Sequence, residues 1–323
     1  MATEESNVTY EQLADIEREF EDVELEITRQ QAVMTKSLYE KRQKTVADIA
    51  NFWPLVFENP PQEVDQYIQV TDSEVIASSL KSFWVSRFEV EDGSKGDPRS
   101  ISIKFEFKEN EYFEDTILEK KFWYRQSKDD NFAGLVSEPV PIKWKPKKDL
   151  TDGLLDMAVT VYEQEKKSGK TGIPKTKDFT PEQKALQKKI QSTGMGGISF
   201  FAFFGYRGYP VSAEEDKEAR QKEQEQRRLR TEGKATDEDE DEIPDLVEAD
   251  EDEGDEEILE IFTDGEELAI AIAEDLWPSA IKYFTNAQEQ DGLSELDFEE
   301  LEGELEDEEE EDEEEPPAKK RKA

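Results

Sequence analysis

Residues 236–315 carry 39 Asp or Glu against a single base, Lys282. Carboxylates at that density can attract basic proteins, buffer a divalent cation, or pair for acid–base work. The acids come in runs such as Asp237–Glu242, without the spaced Asp/Asn–Gly loop of a tight Ca²⁺ site. A low-affinity Ca²⁺ buffer is therefore one alternative to protein binding. Chance pairs are inevitable among 83 acids, so paired carboxylates argue for no hydrolase. The net charge is −42, yet residues 1–235 hold 44 acids against 36 bases, a net of only −8. The chain reads as an ordinary folded body followed by a concentrated anion, which repels nucleic acid and attracts strongly basic proteins. The duller alternative is a solvating tail that keeps the body soluble.

Two absences narrow the chemistry. With no Cys there is no disulfide framework, thiolate metal site or thiol nucleophile. With no His, imidazole bases, imidazole ligands and Ser–His couples are excluded together. Ser168-Gly169-Lys170-Thr171 mimics the end of a phosphate loop, but Gln164 stands where the motif needs glycine. Gly194-Met195-Gly196-Gly197 precedes a strand-like block and lacks the last glycine of a dinucleotide motif, so it reads as a turn. Trp53, Trp144, Trp277 and Phe200–Phe204 could stack on bases only beside a basic groove, and Lys143, Lys145, Lys147 and Lys148 alone offer one. Core packing is the expectation for the rings, with weak DNA contacts left to the lysines. Asn7-Val8-Thr9 is a chance sequon. No apolar run approaches the ~18 residues of a membrane span, and the amino terminus lacks a secretory pattern, so an intracellular protein is expected. Lys319, Lys320, Arg321 and Lys322 after Pro316-Pro317 read as a nuclear-import signal; the alternative is a tail folded back on the acids.

The elements that must position such an anion can be read from periodicity. Residues 10–52 predict one helix, with Leu13, Ile16, Phe20, Val23 and Ile27 at alternating steps of three and four, resuming at Met34 and Leu38. That helix would be roughly 60 Å long, and its narrow stripe between charged flanks predicts self-association rather than packing on its own domain. Phe52-Trp53-Pro54 ends it, and Asp72–Leu80 can form a short helix. Four antiparallel strands are expected. The first carries Trp84, Phe88 and Val90, the second the faultless alternation Ile101, Ile103, Phe105, Phe107. Leu118, Phe122 and Tyr124 mark the third, and Val140, Ile142 and Trp144 the fourth. Residues 145–193 read as a Lys-rich loop with a helical patch at Pro181–Ile190, and Glu214–Arg230 as an exposed helix. Thr236–Glu260 is disordered by composition. A capping box at Thr263-Asp264-Gly265-Glu266 opens a helix through Leu268, Ile272, Leu276 and Trp277, then a last one through Ile281, Tyr283 and Phe284.

Five blocks in order resemble the nucleosome assembly protein family of NAP- and SET-type histone chaperones. They are Ile49-Ala50-Asn51-Phe52-Trp53, the run Phe105–Tyr124 with Asn110, Tyr112, Phe113, Leu118 and Lys120, then Ile142–Thr151, Ser199–Phe204 and Glu266–Phe284. The match covers about residues 10–285 and looks more like the SET branch, except for a longer insertion at 210–260. The resemblance implies an α+β fold: a dimer joined by long helices, each protomer carrying an earmuff-type domain whose four-stranded sheet is covered by helices, with disordered acidic segments.

The organisation expected is a flexible 1–9, a dimerisation helix 10–52, an earmuff domain 53–210 plus 261–287, a charged insertion 211–260, an acidic tail 288–315 and an import segment 316–323. The function expected is a non-enzymatic, nuclear histone chaperone, present in the cytoplasm as well. It would act as a homodimer without cofactors, binding H3–H4, H2A–H2B or both, and DNA only weakly or within histone complexes. Folded-body contacts are expected at Asp264, Glu266, Glu267, Glu274 and Asp275, and at Glu109, Glu111 and Glu114. For Glu266 and Glu267 the competing role is stabilising a helix amino terminus; for Glu274 and Asp275 it is a solvated helix face. The resemblance also implies an alternative function, an acidic regulator that binds or inhibits a phosphatase or modulates a histone acetyltransferase.

Overall fold

The computed structural model describes residues 10–231 and 256–289, apart from positions 92, 94, 130, 170, 171 and 194–196. The acid-rich stretches 237–255 and 290–315 and the import segment Lys319, Lys320, Arg321 and Lys322 lie outside the described residues.

Helix α1 (Tyr10–Val46) runs 37 residues. It stops six residues short of the expected end, because residues 47–51 turn and Asn51 takes a left-handed conformation at φ 56°, which Asn tolerates better than most residues. The chain then enters α2 (Phe52–Glu58), which buries Phe52, Trp53, Val56 and Phe57. Short helices α3 (Gln62–Asp65) and α4 (Val70–Ser79) follow the Pro60-Pro61 break.

Strands β1 (Leu80–Ser86), β2 (Ile101–Phe107), β3 (Ile117–Gln126) and β4 (Ala133–Ser137) form one antiparallel sheet in sequence order. Register puts Phe83 opposite Phe105 and Phe105 opposite Leu118, so like residues share one face. Phe83, Val85, Ile103, Phe105, Leu118 and Phe122 are buried on it. Two strands lie elsewhere than expected. The first begins at Leu80, and Phe88 and Val90 sit in the turn beyond it. The fourth is Ala133–Ser137, because Pro139 and Pro141 cannot donate to a ladder; residues 140–144 are extended but make only a single bridge, Phe113 to Trp144.

Helices cover the apolar face. The supposed loop contains α5 (Leu154–Ser168), whose buried Leu154, Leu155, Ala158 and Val161 form a helical stripe. Then come α6 (Pro181–Thr193), a 3₁₀ turn at Phe200–Gly205, α7 (Ala213–Thr231) and α8 (Gly265–Ala271). A π-turn at Ile272–Leu276 leads to α9 (residues 280–289). Phe200, Phe201, Phe203 and Phe204 have at most 1% exposure and pack edge-on or offset against Phe105, Phe113 and Phe122. Base stacking by this block is thereby excluded.

Two buried charges hold the block in place. Asp72 accepts from the Ser199 hydroxyl (2.5 Å) and from the backbone N–H groups of Phe200 (2.7 Å) and Gln69 (3.0 Å). Burial still pushes its carboxyl above the ordinary value. Lys120 Nζ, fully buried, donates to the carbonyls of Tyr206 (2.9 Å), Glu138 (3.0 Å) and Phe204 (3.1 Å). Three acceptors match the three N–H groups of an ammonium, while burial lowers its pKa to about 7.

Candidate functional site: an acidic helical face

Between Lys44 and Lys81 the sequence contains six acids and no base. Between Lys234 and Lys282 it again contains no base. Folding brings these two stretches together, because α3 packs against α8. Phe57, Val64, Val75 and Ile76 turn inward, so Glu58, Glu63, Asp65 and Glu74 point outward. Glu58, Asp65 and Glu74 line a shallow cleft of about 400 Å³ together with Phe57, Ile68, Val70 and Ala77. Asp264 and Glu267 are exposed where α8 begins. Among the described residues none of Glu58, Glu63, Asp65, Asp264 and Glu267 has an ion-pair partner.

Two tyrosines register the resulting negative potential. The Tyr67 hydroxyl is pushed up to about 12, first by burial and then by Asp264 and Glu267. Tyr283 is likewise pushed up to about 12 by burial, by its 2.8 Å hydrogen bond to Asp275, and by Glu63. These phenols stay protonated and donate into the carboxylate field rather than adding to it.

The expected site residues fall into distinct environments. Asp264 and Glu267 belong to the face described above. Glu266 does not: its Oε1 accepts from Leu135 N on β4 at 2.8 Å, and burial raises its pKa. The expected capping box is absent for the same reason, since Asp264 makes no side-chain cap and Glu266 is turned to the sheet. Glu274 is exposed but paired with Arg87 at 3.3 Å, and Asp275 accepts from Tyr283. Glu109, Glu111 and Glu114 are exposed on the β2–β3 hairpin, at the other end of the strands from Glu266 and Leu135. Seven residues of β2 make that separation roughly 20 Å. Bases accompany the hairpin acids; Glu111 pairs with Lys148 at 3.2 Å.

Glu58, Glu63, Asp65 and Glu74 were missed by sequence reasoning, and they bridge the gap. Tyr112 of the hairpin reaches Glu74 at 3.5 Å, while Tyr67, next to α3, meets Asp264. The acids thus form one strip along the helical side of the sheet. The signal available in the sequence was the base-free stretch from Lys44 to Lys81. Among the described residues no group of carboxylates is arranged to hold a metal ion, and no helix is long and apolar enough to cross a membrane.

On α1 the expected stripe residues Leu13, Ile16, Phe20, Val23, Ile27, Met34 and Leu38 are all exposed, Met34 at 73%. The opposite flank of the helix meets the domain, where Arg29 donates to Gly96 O (2.8 Å) and Gln43 to the Ser82 hydroxyl (2.7 Å); Arg42, one turn after Leu38, lies 4.1 Å over the Trp277 ring and donates to Trp277 O at 2.6 Å.

A family model described as Nucleosome assembly protein (NAP) matches residues 3–287. A Schizosaccharomyces pombe protein bearing a nucleosome-assembly name is 28% identical over 307 residues, which span 92% of this chain and 88% of that protein. Vacuolar protein sorting-associated protein 75 (Vps75) of Saccharomyces cerevisiae is 32% identical over 136 residues, 41% of this chain and 50% of the relative. Protein SET of Drosophila melanogaster is 33% identical over 133 residues, 41% of this chain and 46% of the relative. The solved structure of Vps75 matches with a TM-score of 0.50 at 22% identity, covering 85% of this chain and 96% of that chain. The α+β architecture with its long first helix and helix-covered four-stranded sheet is accordingly of the earmuff type.

Proposed function

The chain belongs to the nucleosome assembly protein family, and on that premise we propose that it is a homodimeric histone chaperone whose acidic helical face and acidic segments take up core histones. The observation that carries this reading is the strip of unpaired carboxylates Glu58, Glu63, Asp65, Asp264 and Glu267. Histones are dense in Lys and Arg, and DNA holds them largely through counterion release. A carrier must compete for those charges and still let go. Exposed ion pairs suit that task, since each contributes only about 0.2–1 kcal/mol and is weakened by salt. The folded strip supplies shape, and the 30 acids of residues 237–255 and 290–315 supply capture at a distance. The family and the Lys319–Lys322 cluster support action in the nucleus.

Dimerisation through α1 has a charge logic. Residues 10–26 hold eight acids and Arg18; residues 27–46 hold five bases and Glu40. A parallel pair would set acid beside acid, whereas an antiparallel pair sets each acidic half on its partner's basic half. The stripe is also nearly its own mirror image about Leu25, so Leu13 would meet Leu38 and Ile16 would meet Met34.

The test is a quintuple neutralisation, Glu58→Gln, Glu63→Gln, Asp65→Asn, Asp264→Asn and Glu267→Gln, titrated with H2A–H2B and with H3–H4. Five lost exposed pairs predict about 2–3 kcal/mol, or roughly 30- to 150-fold weaker binding. Unchanged affinity for both histone pairs, in a variant that folds normally, would remove the helical face from the site.

A further inference from the structure

The cleft among α2, α3 and α4 differs from the rest of the acidic strip in being partly apolar. Val70 is 80% exposed there, beside Phe57, Ile68 and Ala77, while Glu58, Asp65 and Glu74 stand around it. Glu58 and Asp65 have no ion-pair partner among the described residues, and Glu74 meets the Tyr112 hydroxyl at 3.5 Å. A ligand that suits this surface is apolar along one part and cationic along the next.

The chain itself supplies such a segment. Of the stretches 1–9, 232–255 and 290–323, which lie outside the described residues, the first has no base and the second only Lys234. The third contains Pro316-Pro317-Ala318, followed directly by Lys319-Lys320-Arg321-Lys322. It leaves the domain near the cleft. Phe284 of α9 packs on Phe52 at 4.8 Å, Tyr283 feels the charge of Glu63, and α9 ends at residue 289. Phe52 opens α2 and Glu58 closes it, about 9 Å further on at 1.5 Å per residue. Residues 290–315 separate α9 from Pro316, and a coil of that length has a root-mean-square span of roughly 28 Å. The cleft is within that reach, at an effective concentration on the order of millimolar.

We propose that residues 316–322 dock in this cleft, with Pro316-Pro317-Ala318 against Val70 and Ile68 and the four bases on Glu58, Asp65 and Glu74, and that cargo must displace them to occupy the strip. The cargo half of the proposal rests on the chaperone reading above; the docking does not. Prolines suit the apolar half, because a polyproline segment is already extended and loses little entropy on docking. Exposed ion pairs suit the basic half, because each is weak and salt-sensitive. The segment therefore sets a threshold that a feebly basic protein does not cross and a densely basic one does. The same four bases read as an import signal, which cargo on the strip would leave displayed.

The chain has no cysteine, so Ala323→Cys places one spin label per protomer on the full chain. Relaxation enhancement is read at the methyl signals of Ile68, Val70 and Ala77. At roughly 50 mM salt these signals should lose about half their intensity, and they should regain it at roughly 0.5 M, where charges are screened. Adding Lys319→Gln, Lys320→Gln, Arg321→Gln and Lys322→Gln should restore them at the lower salt. Unattenuated signals in the labelled chain overturn the proposal and leave the bases to the acids of residues 290–315. Titration with each histone pair then reads the competition. Releasing four exposed pairs predicts that the fourfold neutralisation binds histones about 5- to 30-fold tighter at the lower salt. That gain should vanish in a background carrying Glu58→Gln, Asp65→Asn and Glu74→Gln; a gain that persists is a general effect of net charge and overturns the competition. A chain that binds neither histone pair counts against the chaperone reading, while the relaxation measurement still decides the docking.

Discussion

Replacing Lys120 with Met tests whether a buried cation holds the domain together. Lys120 Nζ makes hydrogen bonds of 2.9–3.1 Å to three backbone carbonyls, two of them where the 3₁₀ turn Phe200–Gly205 ends. Glu260, part-buried, lies within Coulomb range, and its carboxyl is raised by burial despite hydrogen bonds from Arg207, Phe262 and Gly208 and the attraction of Lys120. Met fills nearly the same volume, so the cavity cost is small. What is lost is three charge-assisted hydrogen bonds and the compensation of Glu260. Phe204 O keeps a second donor in Val140 N at 2.8 Å, and Glu138 O keeps the Ser137 hydroxyl at 3.4 Å, which limits the damage at two of the three carbonyls. Leaving buried carbonyls short of a donor costs ~1–3 kcal/mol each, together a large part of the ~5–15 kcal/mol that stabilises a domain. With a urea m-value of ~2–3 kcal/mol/M, the unfolding midpoint should fall by about 1.5 M.

Linkage gives the same residue a second signature. Its pKa is about 7 in the fold and 10.5 in the reference state. Between those values the unfolded chain binds the proton and the folded one does not, so this term makes stability rise with pH across that window. The rise should be missing from the Lys120→Met variant. Equilibrium urea unfolding at several pH values, with Glu260→Gln and the double variant completing a cycle, measures both effects and a coupling of at least about 1 kcal/mol. A loss below 1 kcal/mol with an unaltered pH profile would refute the clamp.

Two further outcomes follow from the geometry. Phe20→Glu with Met34→Glu should yield a monomer by light scattering, because charge is then placed in a stripe that is 69% and 73% exposed at those positions on one protomer; a dimer of unchanged mass would exclude α1 as the interface. Glu266→Ala should cost about 1–3 kcal/mol in unfolding, by leaving Leu135 N without its acceptor, and leave histone affinity intact. Glu267→Ala should do the reverse, and equal effects of the two on binding would contradict the division made between them.

Local periodicity made much of the fold legible. The alternation Ile101, Ile103, Phe105, Phe107 is a strand with one buried face wherever it occurs, and the three-four stripe from Leu13 to Leu38 is helical and needs a partner. The composition alone separated a near-neutral body from a polyanion and removed His and Cys chemistry. Elements without a clean period were misread: Ala133–Ser137 is short and contains Gly134, and α5 was hidden by the lysines around it.

Which carboxylates act together was decided by packing. Glu63 and Glu267 are 204 positions apart, and nothing in the neighbourhood of either foretells that α3 rests on α8. Glu266 and Glu267 are adjacent in sequence, yet one is turned to Leu135 and the other to solvent, because α8 presents one side to the sheet. Lys120 looks like any strand lysine until β3 is paired on both sides and the aromatic turn closes over it. Type and spacing report what a segment can do with its immediate neighbours. Whether a charge ends in water, in an ion pair or against a buried carbonyl depends on which distant surface covers it, and only the folded chain settles that.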